Sequence, residues 1–132
     1  MRGEQDVIKL LNEVLTAELT AVNQYFIHAM MCRNWHYMKL AEHSRKESIE
    51  EMKHAEELIE RILYLEGAPN IQRYFKIQVG QNVPDQHRFD LEVERTAVAR
   101  LNAGLEACRD KGDNGSRLLL EKILKEEEEH ID

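Results

Sequence analysis

Prolines are few: only Pro69 and Pro84 occur in 132 residues, alongside six glycines. Long stretches therefore carry nothing that interrupts a helix. With 42% hydrophobic and 33% charged residues, the composition favours amphipathic helices over a sheet fold. Cysteine is equally scarce. Cys32 and Cys108 lie far apart in helical patterns, which gives no disulfide framework and leaves reduced thiols as the simpler reading. No apolar run reaches the ~18 residues of a membrane-spanning helix. The opening residues are charged and contain no apolar signal region, so a cytoplasmic location is expected. Positive charge is in deficit, with 18 Lys and Arg against 25 Asp and Glu and a formal net charge of −7. That balance argues against non-specific nucleic-acid binding and suits the handling of cations. One domain with one core is expected at this length.

Four helical segments are predicted, over about 4–33, 38–65, 84–111 and 115–131. In the first, Leu11, Val14, Glu18, Val22, Tyr25 and Ala29 recur at steps of three and four and share one face. The second should point Leu40, Ser44, Glu47, Glu51, His54, Leu58, Ile62 and Leu65 inward and stop at Gly67. The short link at Asn34 and Trp35 makes these two helices antiparallel. From Gly67 to Val83 the helical period is lost, and only Lys76-Ile77-Gln78-Val79 looks strand-like. Such a stretch can extend to ~50 Å, enough to run the length of a bundle. The third helix would then lie parallel to the second, in an all-α, ferritin-like four-helix bundle with a long crossover. Its inward stripe is Leu91, Glu94, Val98, Leu101, Leu105 and Cys108. The fourth helix, capped by Asp113 or Asn114, carries Leu120, Ile123, Glu127 and His130.

The polar residues inside these stripes carry the chemistry. Glu51 to His54 and Glu127 to His130 each read Glu-x-x-His, which puts both side chains on one helical surface. The motif is weak alone, but the spacing strengthens it. Glu18 precedes Glu94 by 76 positions, and Glu51 precedes Glu127 by the same 76. Four carboxylates and two imidazoles cannot sit uncompensated in an apolar bundle. Two divalent cations would cancel the four charges, with Glu51 and Glu127 bridging, Glu18 and Glu94 terminal, and His54 and His130 adding one nitrogen each. By itself Tyr25 reads as a core tyrosine. Carboxylate protonation without metal is the competing explanation of the set.

The chain resembles the bacterioferritins along its whole length. The resemblance is carried by Met1-Arg2-Gly3, Val7-Ile8, Asn23-Gln24-Tyr25-Phe26, Trp35, Glu47 to Ala55, Ile59 to Leu63, Leu65-Glu66-Gly67 and Glu127 to Asp132. It implies an iron-storing ferroxidase that oxidises Fe(II) with dioxygen or hydrogen peroxide at a centre of two iron ions per subunit. It also implies dimers assembled into a hollow 24-subunit shell, an electron-donor ferredoxin as partner, and Tyr25 as a redox-active tyrosine. Met52 matches the position that ligates haem b, shared between two subunits. Successive helical residues differ by ~100°, so Met52 should point away from Glu51 and His54, with Ile49 and Ile59 on its flank and Leu19, Val22 and Phe26 on the facing helix. Arg45 and Lys46 depart from the family pattern of a tyrosine and a histidine. Arg45 would pair with a haem propionate, and Lys46 would weaken an extra iron site on the cavity wall. The sequence stops two residues after His130. The family continues through the rest of helix four and a short fifth helix, so the resemblance implies either a truncated chain or an incomplete sequence, with His130 on a less firmly held turn. A di-iron or di-manganese peroxide-reducing bundle and a non-enzymatic haem-bridged dimer are the alternative readings.

Overall fold

The computed structural model describes residues 2–131. Met1 and Asp132, which contribute to the resemblance, lie outside the described residues. Four helices form among the described residues: α1 (Gln5–Asn34), α2 (Met38–Tyr64), α3 (Val83–Asp110) and α4 (Asn114–Ile131). Helix α1 packs on α2 and α3, α3 packs on α4, and α2 meets α4 along a shorter seam. Paired residues fix the directions. Along α3, Gln86 reaches Cys32, Asp90 reaches His28 and Gln24, and Glu94 reaches Tyr25, so α3 runs against α1 and parallel to α2. Lys122 and Glu126 of α4 reach Glu57 and His54, so α4 runs against α2. No helix of the described residues is long and apolar enough to cross a membrane.

Helices α1, α2 and α3 stop in the same way. One residue enters the left-handed region, His36 at φ 67°, Glu66 at φ 62° and Gly112 at φ 70°. The next residue's N–H then reaches back to the helix: Tyr37 to Cys32 O, Gly67 to Ile62 O and Asp113 to Cys108 O, each at 2.9 Å. This satisfies carbonyls that the helix end would otherwise leave open. Gly67 was the expected stop of α2, but Glu66 takes the left-handed conformation. Gly67 answers a different need: a Cβ there would lie 2.7 Å from Ile8 Cγ2.

Lys76–Val79 forms no strand. The segment between α2 and α3 is instead strapped along α1 by polar side chains spaced four or eight residues apart. Asn12 Oδ1 accepts from Asn70 N at 2.8 Å, Thr20 Oγ1 from Phe75 N at 2.9 Å, Gln24 Oε1 from Gln78 N at 3.0 Å and His28 Nε2 from Gly80 N at 3.0 Å. Gly80 is buried where the strap meets the first turn of α3, and a Cβ there would lie 2.4 Å from Gln86 N. Helix α3 then starts with Asn82 Oδ1 accepting from Asp85 N at 2.9 Å, and Pro84 stands in the first turn where its missing N–H is harmless.

The apolar core fills one end of the bundle. Leu11, Val14 and Leu15 meet Leu58 and Ile62, Leu101, and Leu120 and Ile123. Fully burying each such side chain contributes about 1.5–3 kcal/mol. Leu40, expected inward, is 43% exposed, because the 18-residue α4 does not cover the start of α2. Cys32 and Cys108 are both buried and unpaired with each other.

Asp113 opens α4. Its Oδ1 accepts from Ser116 N at 3.0 Å and from Arg61 Nη2 at 2.8 Å, while Oδ2 accepts from Ser116 Oγ at 2.8 Å. Burial would raise this carboxyl, but the bonds from Ser116 and Arg61 outweigh it and hold it below the usual aspartate value. Asp113→Ala should therefore cost about 1–2 kcal/mol near neutral pH, read by thermal unfolding. A lowered folded-state pKa stabilises above the unfolded value. The deficit should accordingly shrink as the pH falls below about 4.

Candidate metal centre

The polar layer lies directly beyond the apolar core, one helical turn or so along each helix. Glu18 follows Val14 and Leu15 on α1, and Glu51 and His54 precede Ala55 and Leu58 on α2. Glu94 precedes Ala97 and Leu101 on α3, and Glu127 follows Leu120 and Ile123 on α4. The same stripes that build the core thus carry the acids inward. Relative exposure is 1–4% for Glu18, Glu51, His54, Glu94 and Glu127. The His130 side chain is 12% exposed.

The six residues form two overlapping groups. Glu18, Glu51, His54 and Glu127 make one, and Glu51, Glu94, Glu127 and His130 the other; in each, the ligand atoms lie within 4.8 Å of one another. Both groups share Glu51 and Glu127, and each shared carboxylate gives one oxygen to each side. His54 Nδ1 lies 3.2 Å from Glu51 Oε2 and 3.0 Å from Glu127 Oε1. His130 Nδ1 lies 3.2 Å from Glu51 Oε1 and 3.7 Å from Glu127 Oε2. Glu18 Oε2 is 3.5 Å from His54 Nδ1, and Glu94 Oε1 is 3.6 Å from His130 Nδ1. Tyr25 is buried at 1% exposure, and its hydroxyl donates to Glu94 Oε1.

Electrostatics show what the layer demands. Burial, then the neighbouring Glu51 charge, raises Glu18 well above the carboxylate range. Burial drives Glu94 up to about 9, with Glu127 and Glu51 adding to the shift against the opposing contact from His130. Burial and the Glu94 charge likewise raise the Tyr25 phenol. Burial would lower His54, but its contacts with Glu127, Glu18 and Glu51 prevail and raise it strongly. His130 is raised mainly by Glu127, then Glu51 and Glu94. Glu127 is held below its usual value, because His130 and His54 outweigh its burial. These shifts favour the protonated forms of Glu18, Glu94, His54 and His130. Even so, Glu18 Oε2, Glu51 Oε1, Glu94 Oε2, Glu127 Oε1 and His130 Nδ1 remain buried with no hydrogen-bond partner. Orphaned acceptors converging from four helices are what two divalent cations would satisfy. A mixed oxygen and nitrogen set suits iron, manganese or zinc.

Two further side chains adjoin the layer and did not stand out in the sequence. Glu126 reaches His54 Nε2 and Glu50 reaches His130 Nε2, each at 2.5 Å. Both sit on charged stretches, and their only sequence signal is that they too are 76 positions apart. Met52 is apart from the layer. It is 52% exposed on the outer side of α2, with Ile49 46% exposed one turn earlier and Phe26 of α1 47% exposed. Val22 is buried, and its carbonyl accepts from Ser48 Oγ at 2.8 Å. Arg45 and Lys46 are exposed, and Arg45 edges a groove of about 300 Å³ with Phe26, Met30 and Met38.

A cation held by these carboxylates and imidazoles would displace protons from them. Zn(II) titrated into metal-free protein in weak buffer at near-neutral pH should release protons. The apparent affinity should fall as the pH is lowered. Calorimetry in two buffers of different ionisation enthalpy measures the release; a buffer-independent heat would contradict it.

Residues 8–132 match the ferritin-like domain family. The chain is 52% identical over 132 residues to the bacterioferritin of Mycobacterium bovis, spanning all of this chain and 83% of that protein. It is 51% identical to the bacterioferritin of Streptomyces coelicolor, covering 79% of it, and 45% identical to that of Brucella melitensis, covering 82%. Four helices with a strapped crossover, a buried carboxylate and histidine layer, and identity of this extent agree: the chain belongs to the bacterioferritins, within the ferritin-like family.

Proposed function

We propose that the protein stores and detoxifies iron, and that its buried layer is a ferroxidase centre taking two Fe(II) ions per chain as substrate. The observation that carries this reading is the sharing of Glu51 and Glu127 between two four-residue groups. Two cations so held are bridged by the same carboxylates, so both can lose an electron to one oxidant. With hydrogen peroxide, two Fe(II) ions give one electron each, the peroxide takes both with two protons, and two waters form. Dioxygen is the other oxidant. Hard carboxylate oxygens favour the more highly charged Fe(III) product. Tyr25, whose hydroxyl donates to Glu94 Oε1 beside the layer, is the redox-active side chain in this proposal.

Membership in the family supports the remaining parts of the proposal. We place the chain in the cytoplasm, in dimers that build a 24-subunit shell around ferric mineral, with a ferredoxin supplying electrons. Met52 would hold haem b between two subunits. Its exposed thioether beside exposed Ile49 would hold the haem iron at an apolar contact, and the exposed Arg45 would pair with a propionate. Bound haem would supply a one-electron carrier. The exposed Lys46 adds positive charge next to Glu47, which disfavours a further iron site there.

Two substitutions test these assignments separately. Glu51→Ala removes an oxygen from each group, so oxidation of Fe(II) in air, followed by absorbance, should fall by more than about 100-fold. Wild-type rates in that variant would sink the ferroxidase reading, and mineral retained through gel filtration tests storage. Met52→Leu should lose haem, read by the Soret band, while oxidation of Fe(II) persists. Stoichiometric haem in that variant would remove Met52 as the ligand.

A further inference from the structure

His54 and His130 each turn a single nitrogen to the buried carboxylates. In both it is Nδ1. The other nitrogen, Nε2, is taken in each case by an acid that belongs to neither group. Glu126 Oε2 lies 2.5 Å from His54 Nε2, and Glu50 Oε2 lies 2.5 Å from His130 Nε2. The two bonds cross the seam between α2 and α4 in opposite directions. Glu50 of α2 holds a histidine of α4, and Glu126 of α4 holds a histidine of α2. Each acid immediately precedes a shared carboxylate, Glu51 or Glu127, so a helix that presents one inward presents the other to the facing histidine. The side chains are 34% and 40% exposed, so each keeps contact with water as well as with the imidazole and avoids the penalty of full burial.

An imidazole has one proton to place when neutral. A carboxylate at Nε2 fixes that proton there and leaves the Nδ1 lone pair facing the layer. It also holds the ring plane and raises the basicity of the coordinating nitrogen. We propose that Glu50 and Glu126 are positioning residues that act through His130 and His54 respectively, each governing one of the two metal positions. The inference rests on the metal-centre reading and adds an assignment of one outer acid to each ion.

Co(II) is the probe, because its visible absorption reports the geometry of each ion. The wild-type protein should bind two Co(II) per chain. Failure at that step would overturn the centre itself, and this assignment with it. In Glu126→Ala, one of the two ions should bind about 10–100-fold more weakly and the other as before. The absorption lost should be the component that His54→Ala also removes. Glu50→Ala should act on the other ion and match His130→Ala. Glu126→Gln and Glu50→Gln keep an oxygen that can accept from Nε2–H, so they should recover part of the affinity at the same ion. If an alanine variant does not fold, its glutamine counterpart carries the test through the smaller, equally selective loss. Equal weakening of both ions would assign the acids to the seam between helices and overturn the proposal. So would unchanged affinities and spectra.

Discussion

Four carboxylates held in one layer of an apolar bundle repel one another and have lost most of their water, and the arrangement around them answers that constraint. A single buried acid can be relieved by taking a proton. Four that share a space with two imidazoles still leave one oxygen each of Glu18, Glu51, Glu94 and Glu127 without a hydrogen-bond partner. The layer stays assembled because the core beneath it is dry and closely packed, with Leu11, Leu58, Leu101 and Leu120 on four different helices at 0–1% exposure. Hydrophobic burial fixes the helices in register, and register brings the four acids into one layer.

Two-fold likeness runs through the layer. Glu18, Glu50, Glu51 and His54 recur as Glu94, Glu126, Glu127 and His130, with one constant offset. Two hairpins of similar pattern face each other, so the two four-residue groups receive matching surroundings. The likeness is incomplete. His54 is 1% exposed and His130 12%, so the second position lies nearer to water.

Much of the layer could be read from the chain because an acid inside an apolar helical stripe is costly and therefore conspicuous. Glu18 among Leu11, Val14 and Val22 is conspicuous in that sense, and so is Glu94 among Leu91, Val98 and Leu101. Glu50 and Glu126 were illegible for the opposite reason: among Glu50-Glu51 and Glu126 to Glu129, one more carboxylate carries no information until the facing helix is in place. The crossover was legible as a length, not as a path. Asn12, Thr20, Gln24 and His28 read as ordinary polar positions, and only the folded chain shows that they receive the backbone of Asn70, Phe75, Gln78 and Gly80. Lys76–Val79 reads as strand-like from its residues, yet the N–H groups of Gln78 within it and of Phe75 and Gly80 beside it go to side chains of α1 instead of a second strand. Glu66 shows a similar limit, since a left-handed glutamate beside an available glycine follows from the close approach of Ile8 to Gly67.

The strap has a dynamic consequence. It ties α1 to the chain on both sides of the loop, from Asn12 near one end of the bundle to His28 near the other. The α1–α2 hairpin cannot swing outward without stripping those bonds, and α4, packed on α3, is further tied to α2 by Arg61, Glu57, Glu50 and His54. Water lies nearer to the His130 side, whose imidazole is 12% exposed against 1% for His54, so exchange with solvent reaches that half of the layer before the Glu18 and His54 half.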